Sequence, residues 1–85
     1  MVVRVEFTIE PFVEGQPGEH VTAAIEAAQE RGADVEVGPF GTVCDIADGA
    51  VGAVGALVGS VVDAALAHGA THVSLHVEVA VEVEQ

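Results

Sequence analysis

The chain has 85 residues, of which 14 are acidic and two basic, and its formal net charge is −12. Arg4 and Arg31 are the only permanent cations, so we expect neither nucleic acid nor an anionic membrane as a partner. The length fits one domain, and a hydrophobic content of 51% excludes general disorder. We therefore predict a single domain over residues 1–85, whose acidity serves solubility or attracts cationic and neutral ligands.

Three features of the chain indicate its compartment. Cys44 is the only cysteine, so no internal disulfide can form. The first residues lack the basic region and apolar stretch of a signal peptide. The longest apolar run, residues 49–62, is shorter than the ~20 residues that a membrane helix requires. We expect a cytoplasmic protein.

The first segment alternates apolar and polar residues, a period of two that predicts a strand ending before Pro11. After turn residues at 15–18, apolar side chains recur at helical spacing, and Gly32 marks the end of this first helix. The apolar positions are Val3, Val5, Phe7 and Ile9 in the strand, and Val21, Ala24, Ile25 and Ala28 in the helix.

The middle of the chain predicts a hairpin and a second helix. Val35 and Val37 alternate with acidic residues in a second strand, and residues 40–44 form a third after a short link. Asp48 is positioned to cap the second helix, whose apolar face comprises Val51, Val54, Leu57, Val58, Val61, Val62 and Ala65. Three glycines cost this helix roughly 1 kcal/mol each, and we expect close backbone packing to compensate at Gly52, Gly55 and Gly59.

The last segment has the most regular alternation in the chain, with apolar residues at every second position from Val73 to Val83. It would span about 40 Å as a strand, which is longer than usual. Two helices cannot cover its last valines, and exposed valines on an edge favour aggregation. We therefore predict a homodimer or homotetramer.

The predicted order is β-α-β-β-α-β. Right-handed crossovers then give a ferredoxin-like α+β fold, an antiparallel four-stranded sheet with both helices on one face. This fold serves many functions, so it defines none.

Two short motifs carry a resemblance to a known family. The segments at residues 8–11 (Thr-Ile-Glu-Pro) and 38–43 (Gly-Pro-Phe-Gly-Thr-Val), with Gly-Ala pairs at 32–33 and 69–70, resemble the thiamine-binding family that includes the two-repeat YkoF proteins. The resemblance covers essentially the whole chain. It implies a ferredoxin-like subunit, assembly into dimers or dimers of dimers, and a sheet-associated site for thiamine or its hydroxymethylpyrimidine portion.

The polar face of the sheet, together with residues of the third strand, holds the candidate ligand-binding residues. This face gathers Arg4, Glu6, Thr8 and Glu10 of the first strand with Ser74, His76 and Glu78 of the last. Carboxylate and hydroxyl groups suit an exocyclic amine or a thiazolium, and a phenyl ring suits a heteroaromatic ring. The candidates are Thr8, Glu10, Phe40, Thr42, Ser74 and His76. The alternative is that this face is a solvated or subunit-facing surface held by cross-strand charge pairs, and that Phe40 belongs to the core.

The sequence offers little for a metal, a cofactor or a catalytic reaction. His72 and His76 share a face but lie roughly 13 Å apart along a strand, too far to ligate one zinc ion. Cys44 has no cationic neighbour in sequence, and neither a phosphate loop nor a nucleophile elbow occurs. We expect a binding protein rather than an enzyme. A regulatory or assembly module that binds a protein or another metabolite through its acidic face is the alternative, and a small dimeric-barrel enzyme is a third.

Overall fold

The structure, a computed structural model, describes residues 1–12, 15, 18–38, 41–47 and 49–83. Its elements follow in the predicted order, which confirms the ferredoxin-like α+β fold. They are β1 (Val2–Glu10), α1 (Glu19–Glu30), β2 (Asp34–Val37), β3 (Thr42–Ile46), α2 (Val51–Ala67) and β4 (His72–Ala80). The strands lie side by side in the order β2-β3-β1-β4.

Strand β1 lies at the centre of the sheet and pairs antiparallel with β3 on one side and β4 on the other. Val5 is opposite Cys44 in β3 and opposite Val77 in β4. β2 and β3 form the predicted antiparallel hairpin, in which Val35 is opposite Cys44. The first and last strands of the chain are therefore neighbours in the sheet.

The core lies between one face of the sheet and the two helices. The four alternate apolar residues of β1 are buried, because successive strand side chains point to opposite faces. The helices bury residues at spacings of four, which keeps them on one helix face. The buried apolar side chains are Val3, Val5, Phe7, Ile9, Ala24, Ala28, Ala33, Cys44, Leu57, Val61 and Ala65.

Both helices end at a glycine with a left-handed backbone, which the sequence predicts for Gly32. Gly32 has φ +83° after α1, and Gly69 has φ +100° after α2. At the start of α2 the N-cap is Ala50, with no side-chain hydrogen bond, whereas the predicted cap Asp48 lies outside the described residues. β3 begins at Thr42 and continues to Ile46, two residues later than predicted at each end.

The glycines of α2 differ from the prediction. Among the described residues, a Cβ at Gly52, Gly55 or Gly59 would meet no heavy atom within 4 Å, so no close backbone packing there compensates for these glycines. Val51 is also exposed, because the helix begins before it reaches the sheet and α1. The buried stripe of α2 is narrower than its apolar sequence predicts and consists of Leu57, Val61 and Ala65.

Strand β4 extends past the part of the sheet that the helices cover. Val73 and Leu75 are half-buried, whereas the following valines become steadily more exposed. Their exposed fractions are 40% for Val77, 44% for Val79, 65% for Val81 and 81% for Val83. The predicted exposure of this apolar row is confirmed.

No helix among the described residues is long and apolar enough to cross a membrane.

A leucine pair in α2 tests the location of the core. Leu57 is fully buried and Leu66 is 55% exposed. We expect Leu57→Ala to lower the free energy of unfolding by about 2–5 kcal/mol, because the lost side chain leaves a cavity. Leu66→Ala, the matched control, should change it by less than about 0.5 kcal/mol. Chemical denaturation followed by circular dichroism measures both, and equal losses would contradict this core.

Candidate functional site

The side of the sheet opposite the helices, here called the open face, is polar and acidic. The strand registers place Thr8 opposite Ser74, Glu6 opposite His76 and Arg4 opposite Glu78. The polar residues of this face are Arg4, Glu6, Thr8 and Glu10 of β1, Asp34 and Glu36 of β2, Asp45 of β3, and His72, Ser74, His76 and Glu78 of β4. None of these side chains belongs to the core.

A cavity of about 580 Å³ opens on this face across β3, β1 and β4. Two glycines at the base of the β2–β3 hairpin contribute to its wall, and the backbone N–H of Gly38 donates to the carbonyl oxygen of Gly41 at 2.8 Å. A Cβ at Gly41 would approach Thr8 Cγ2 and the Phe7 carbonyl oxygen at 3.2 Å. Glycine at this position therefore lets the hairpin pass close to β1 beside the cavity.

Four of the six predicted ligand-binding residues line this cavity, namely Thr8, Thr42, Ser74 and His76. Thr42 is buried and opposite Phe7, which places its side chain on the helix-facing side of the sheet rather than the open face. Glu10 does not line the cavity, since it lies one open-face position beyond Thr8, opposite His72. Phe40 lies outside the described residues.

Glu6 is the residue that the predicted set missed. It lines the cavity, opposite His76 and one open-face position before Thr8. The period-two pattern contained the signal, because Glu6 shares its face with Thr8. The motif that resembles the thiamine-binding family begins at Thr8, so it includes Glu10 but not Glu6.

The positive charge of Arg4 is held at the other end of the open face. Arg4 donates from Nε to Asp45 Oδ1 at 2.8 Å and from Nη2 to Oδ2 at 3.2 Å. This two-point hydrogen bond, together with the Arg4 charge, lowers the pKa of Asp45 below its ordinary 3.8. Arg4 lies one open-face position before Glu6 and interacts with its charge, but it does not line the cavity. Glu6 is thus the carboxylate of the described cavity wall, a group suited to a cationic ligand or one rich in N–H donors.

Cys44 lies on the helix-facing side, within the core. Burial raises the pKa of its thiol to about 11, and the nearby Asp45 carboxylate acts in the same direction. The thiol is therefore neutral at physiological pH and packs as a small hydrophobic side chain.

His20 connects the start of α1 to the end of β1. Its ring is buried, and Nε2–H donates to the carbonyl oxygen of Pro11 at 2.6 Å. This hydrogen bond fixes the imidazole and occupies the nitrogen that faces the strand end. His20 therefore has a structural role, in contrast to the exposed His72 and His76.

No family model matches the chain, and no curated protein is significantly similar to it. Solved structures do share its fold. A Thermotoga maritima protein provisionally assigned to thiamine biosynthesis or salvage has 25% identity and a TM-score of 0.61, with 92% of this chain and 81% of that chain covered.

Two further structures have lower identity. A domain of unknown function, DUF77, from Bacillus cereus has 24% identity and a TM-score of 0.60, with 91% of this chain and 72% of that chain covered. A Streptococcus pneumoniae protein has 20% identity and a TM-score of 0.62, with 98% of this chain and 89% of that chain covered. These two likenesses show the fold alone.

The pairing of Arg4 with Asp45 predicts a pH dependence. Because the folded-state pKa of Asp45 lies below 3.8, the pair stabilises the fold above that pH, and this contribution is lost as pH falls through the lower folded value. Asp45→Asn should therefore be less stable than the parent at pH 7, and the difference should shrink below pH 3.8. Urea denaturation at a series of pH values measures this difference in the free energy of unfolding. Asp63→Asn is the control for the loss of one negative charge. A difference that is constant with pH would contradict the pair.

The buried thiol predicts slow alkylation. Cys44 in the folded protein should resist iodoacetamide at pH 8, because its pKa is about 11 and it is buried. In 6 M guanidinium it should react completely, and mass spectrometry measures both. Rapid alkylation of the folded protein would place the thiol outside the core.

Proposed function

We propose that the protein binds thiamine, or its hydroxymethylpyrimidine portion, in the open-face cavity as a cytoplasmic carrier, buffer or sensor without catalysing a reaction. The observation that carries the proposal is the convergence of one carboxylate, two hydroxyls and one imidazole on a cavity of about 580 Å³. Pockets for small ligands measure roughly 300–1,000 Å³ and combine apolar lining with a few polar groups.

The chemistry of the wall fits the two parts of the vitamin. Glu6 accepts from the exocyclic amine of the pyrimidine or neutralises the cationic thiazolium, while Thr8 and Ser74 donate to ring nitrogens or accept from the amine. Val43 and the two glycines supply apolar and open surface for a flat ring. The net charge of −12 concentrates a cation near this face.

Two other observations support the same ligand. The motifs at residues 8–11 and 38–43, which are far apart in sequence, meet at this end of the sheet, where the cavity includes Thr8, Gly38 and Gly41. The Thermotoga maritima structure with a thiamine-related assignment shares the fold over most of both chains. A role without catalysis agrees with the neutral, buried thiol of Cys44.

The acidity of the open face favours a second candidate function. Its four strands present six carboxylates around Arg4, a density that suits a regulatory or assembly module with a basic partner protein or a different cationic metabolite. Failure to bind the vitamin would move this candidate to first place.

Calorimetric titration with thiamine and, separately, hydroxymethylpyrimidine tests the proposal. We expect saturable binding of micromolar affinity or tighter at about one ligand per subunit. Glu6→Gln should weaken it by about tenfold, because a hydrogen bond to a charged group is lost. Glu10→Gln is the matched control and should change the affinity less than Glu6→Gln, since Glu10 lies outside the cavity wall.

Each result of these titrations has a defined meaning. Weaker binding only in Glu10→Gln would move the ligand toward Pro11 and the end of β1. Flat traces for both ligands from folded protein, at low and at high salt, would contradict the vitamin role.

A further inference from the structure

The two edges of the sheet are unequal. β2 forms one edge with four residues and carries the carboxylates of Asp34 and Glu36, features that protect an edge from pairing. β4 forms the other edge with nine residues and has no neighbouring strand on its outer side within the described chain. Its outer backbone N–H and C=O groups are therefore free to pair with another strand.

An apolar row accompanies this free edge. Val77 and Val79 lie on the helix-facing side of β4, and Val81 and Val83 continue the alternation in the residues that follow it. All four are exposed. A second strand placed against β4 would cover part of this row, which a single chain leaves in water.

The sequence of β4 is self-complementary about Val77. Antiparallel pairing of two copies around a two-fold axis at Val77 sets residues at equal distances on either side of it opposite each other. On the open face, His76 then meets Glu78 and His72 meets Glu82 of the second copy. On the other face, Leu75 meets Val79 and Val73 meets Val81. Both histidines therefore face carboxylates, and the leucine and valines face apolar residues, while Ser74 meets Ala80. Val81 and Glu82 directly follow β4, so the full match requires the pairing to continue just past Ala80.

Neighbouring registers lose this match. An axis at Glu78 opposes two carboxylates, and an axis at His76 opposes two imidazoles. An axis at Leu75 or at Val79 leaves one of the two histidines without a facing glutamate. Since both faces must match at once, the register about Val77 is the best of these five.

Charge also favours an edge contact over stacking of two open faces. The open face carries six carboxylates against the one guanidinium of Arg4, so stacking two copies would oppose like charges. Edge pairing leaves both open faces in solvent and places the helices of both copies on the same side of a continuous sheet. Salt should strengthen this pairing, because each chain carries a charge of −12.

We propose that two copies of the chain pair antiparallel through β4 with Val77 on the two-fold axis. Glu78 of the second copy then lies beside His76 and adds a carboxylate at the β4 side of the open-face cavity. The pairing does not depend on thiamine being the ligand, so either proposal can fail without the other.

Disulfide trapping tests this register. In Val77→Cys the two new thiols face each other, with Cα atoms about 4.5–5.5 Å apart, within the range that a disulfide spans. Val79→Cys is the matched control on the same strand and face, with 44% exposure against 40%. Its two thiols would lie about 13 Å apart, too far to bridge. Cys44 is buried and stays reduced in both variants.

The expected result is a covalent dimer of Val77→Cys under mild oxidation and little of one from Val79→Cys. A mixture of Leu75→Cys and Val79→Cys chains should cross-link to each other. Equal or preferential cross-linking of Val79→Cys would overturn the register. A monomeric mass of the parent protein by light scattering, at micromolar concentration in low and high salt, would overturn the pairing itself.

Discussion

The structure depends on the central position of β1. This strand has a neighbour on each side, so its alternating sequence determines both faces of the sheet at once. Its apolar residues hold the helices, and its polar residues Glu6 and Thr8 lie between the hairpin and β4 on the open face. A shift of one residue would exchange these two sets, exposing the valines and burying the carboxylates, and the cost of that exchange keeps the register fixed.

The second governing feature is the imbalance of charge. With 14 acidic residues and two basic ones, most carboxylates have no cationic side chain to pair with. Arg4 is committed to Asp45, and Arg31 donates from Nε to Ser60 Oγ at 2.9 Å, which links the end of α1 to α2. Both arginines therefore serve structural contacts among the described residues. A cation that reaches the open face meets carboxylates, and this field is the basis for both candidate functions.

Much of this architecture follows from patterns in the sequence, while the details depend on packing. Alternation in β1 and β4 predicts the sheet face that holds Thr8, Ser74 and His76, because a strand has only two sides. Thr42 shows what the motif alone leaves out: it lies two positions before the buried Cys44 in β3, so the same alternation puts its side chain on the helix-facing side. Likewise, the glycines of α2 imply close packing only when a neighbour is present, and the described part of the chain provides none at Gly52, Gly55 or Gly59.

The most direct test of the central claim is a ¹⁵N–¹H correlation spectrum of the protein titrated with thiamine, since amide signals locate a ligand residue by residue. The account predicts shifts at Glu6, Thr8, Gly41, Ser74 and His76, with the buried helix residues Ala24 and Ala28 nearly unchanged. Shifts confined to the helices, or none at saturating ligand, would contradict a thiamine site on the open face.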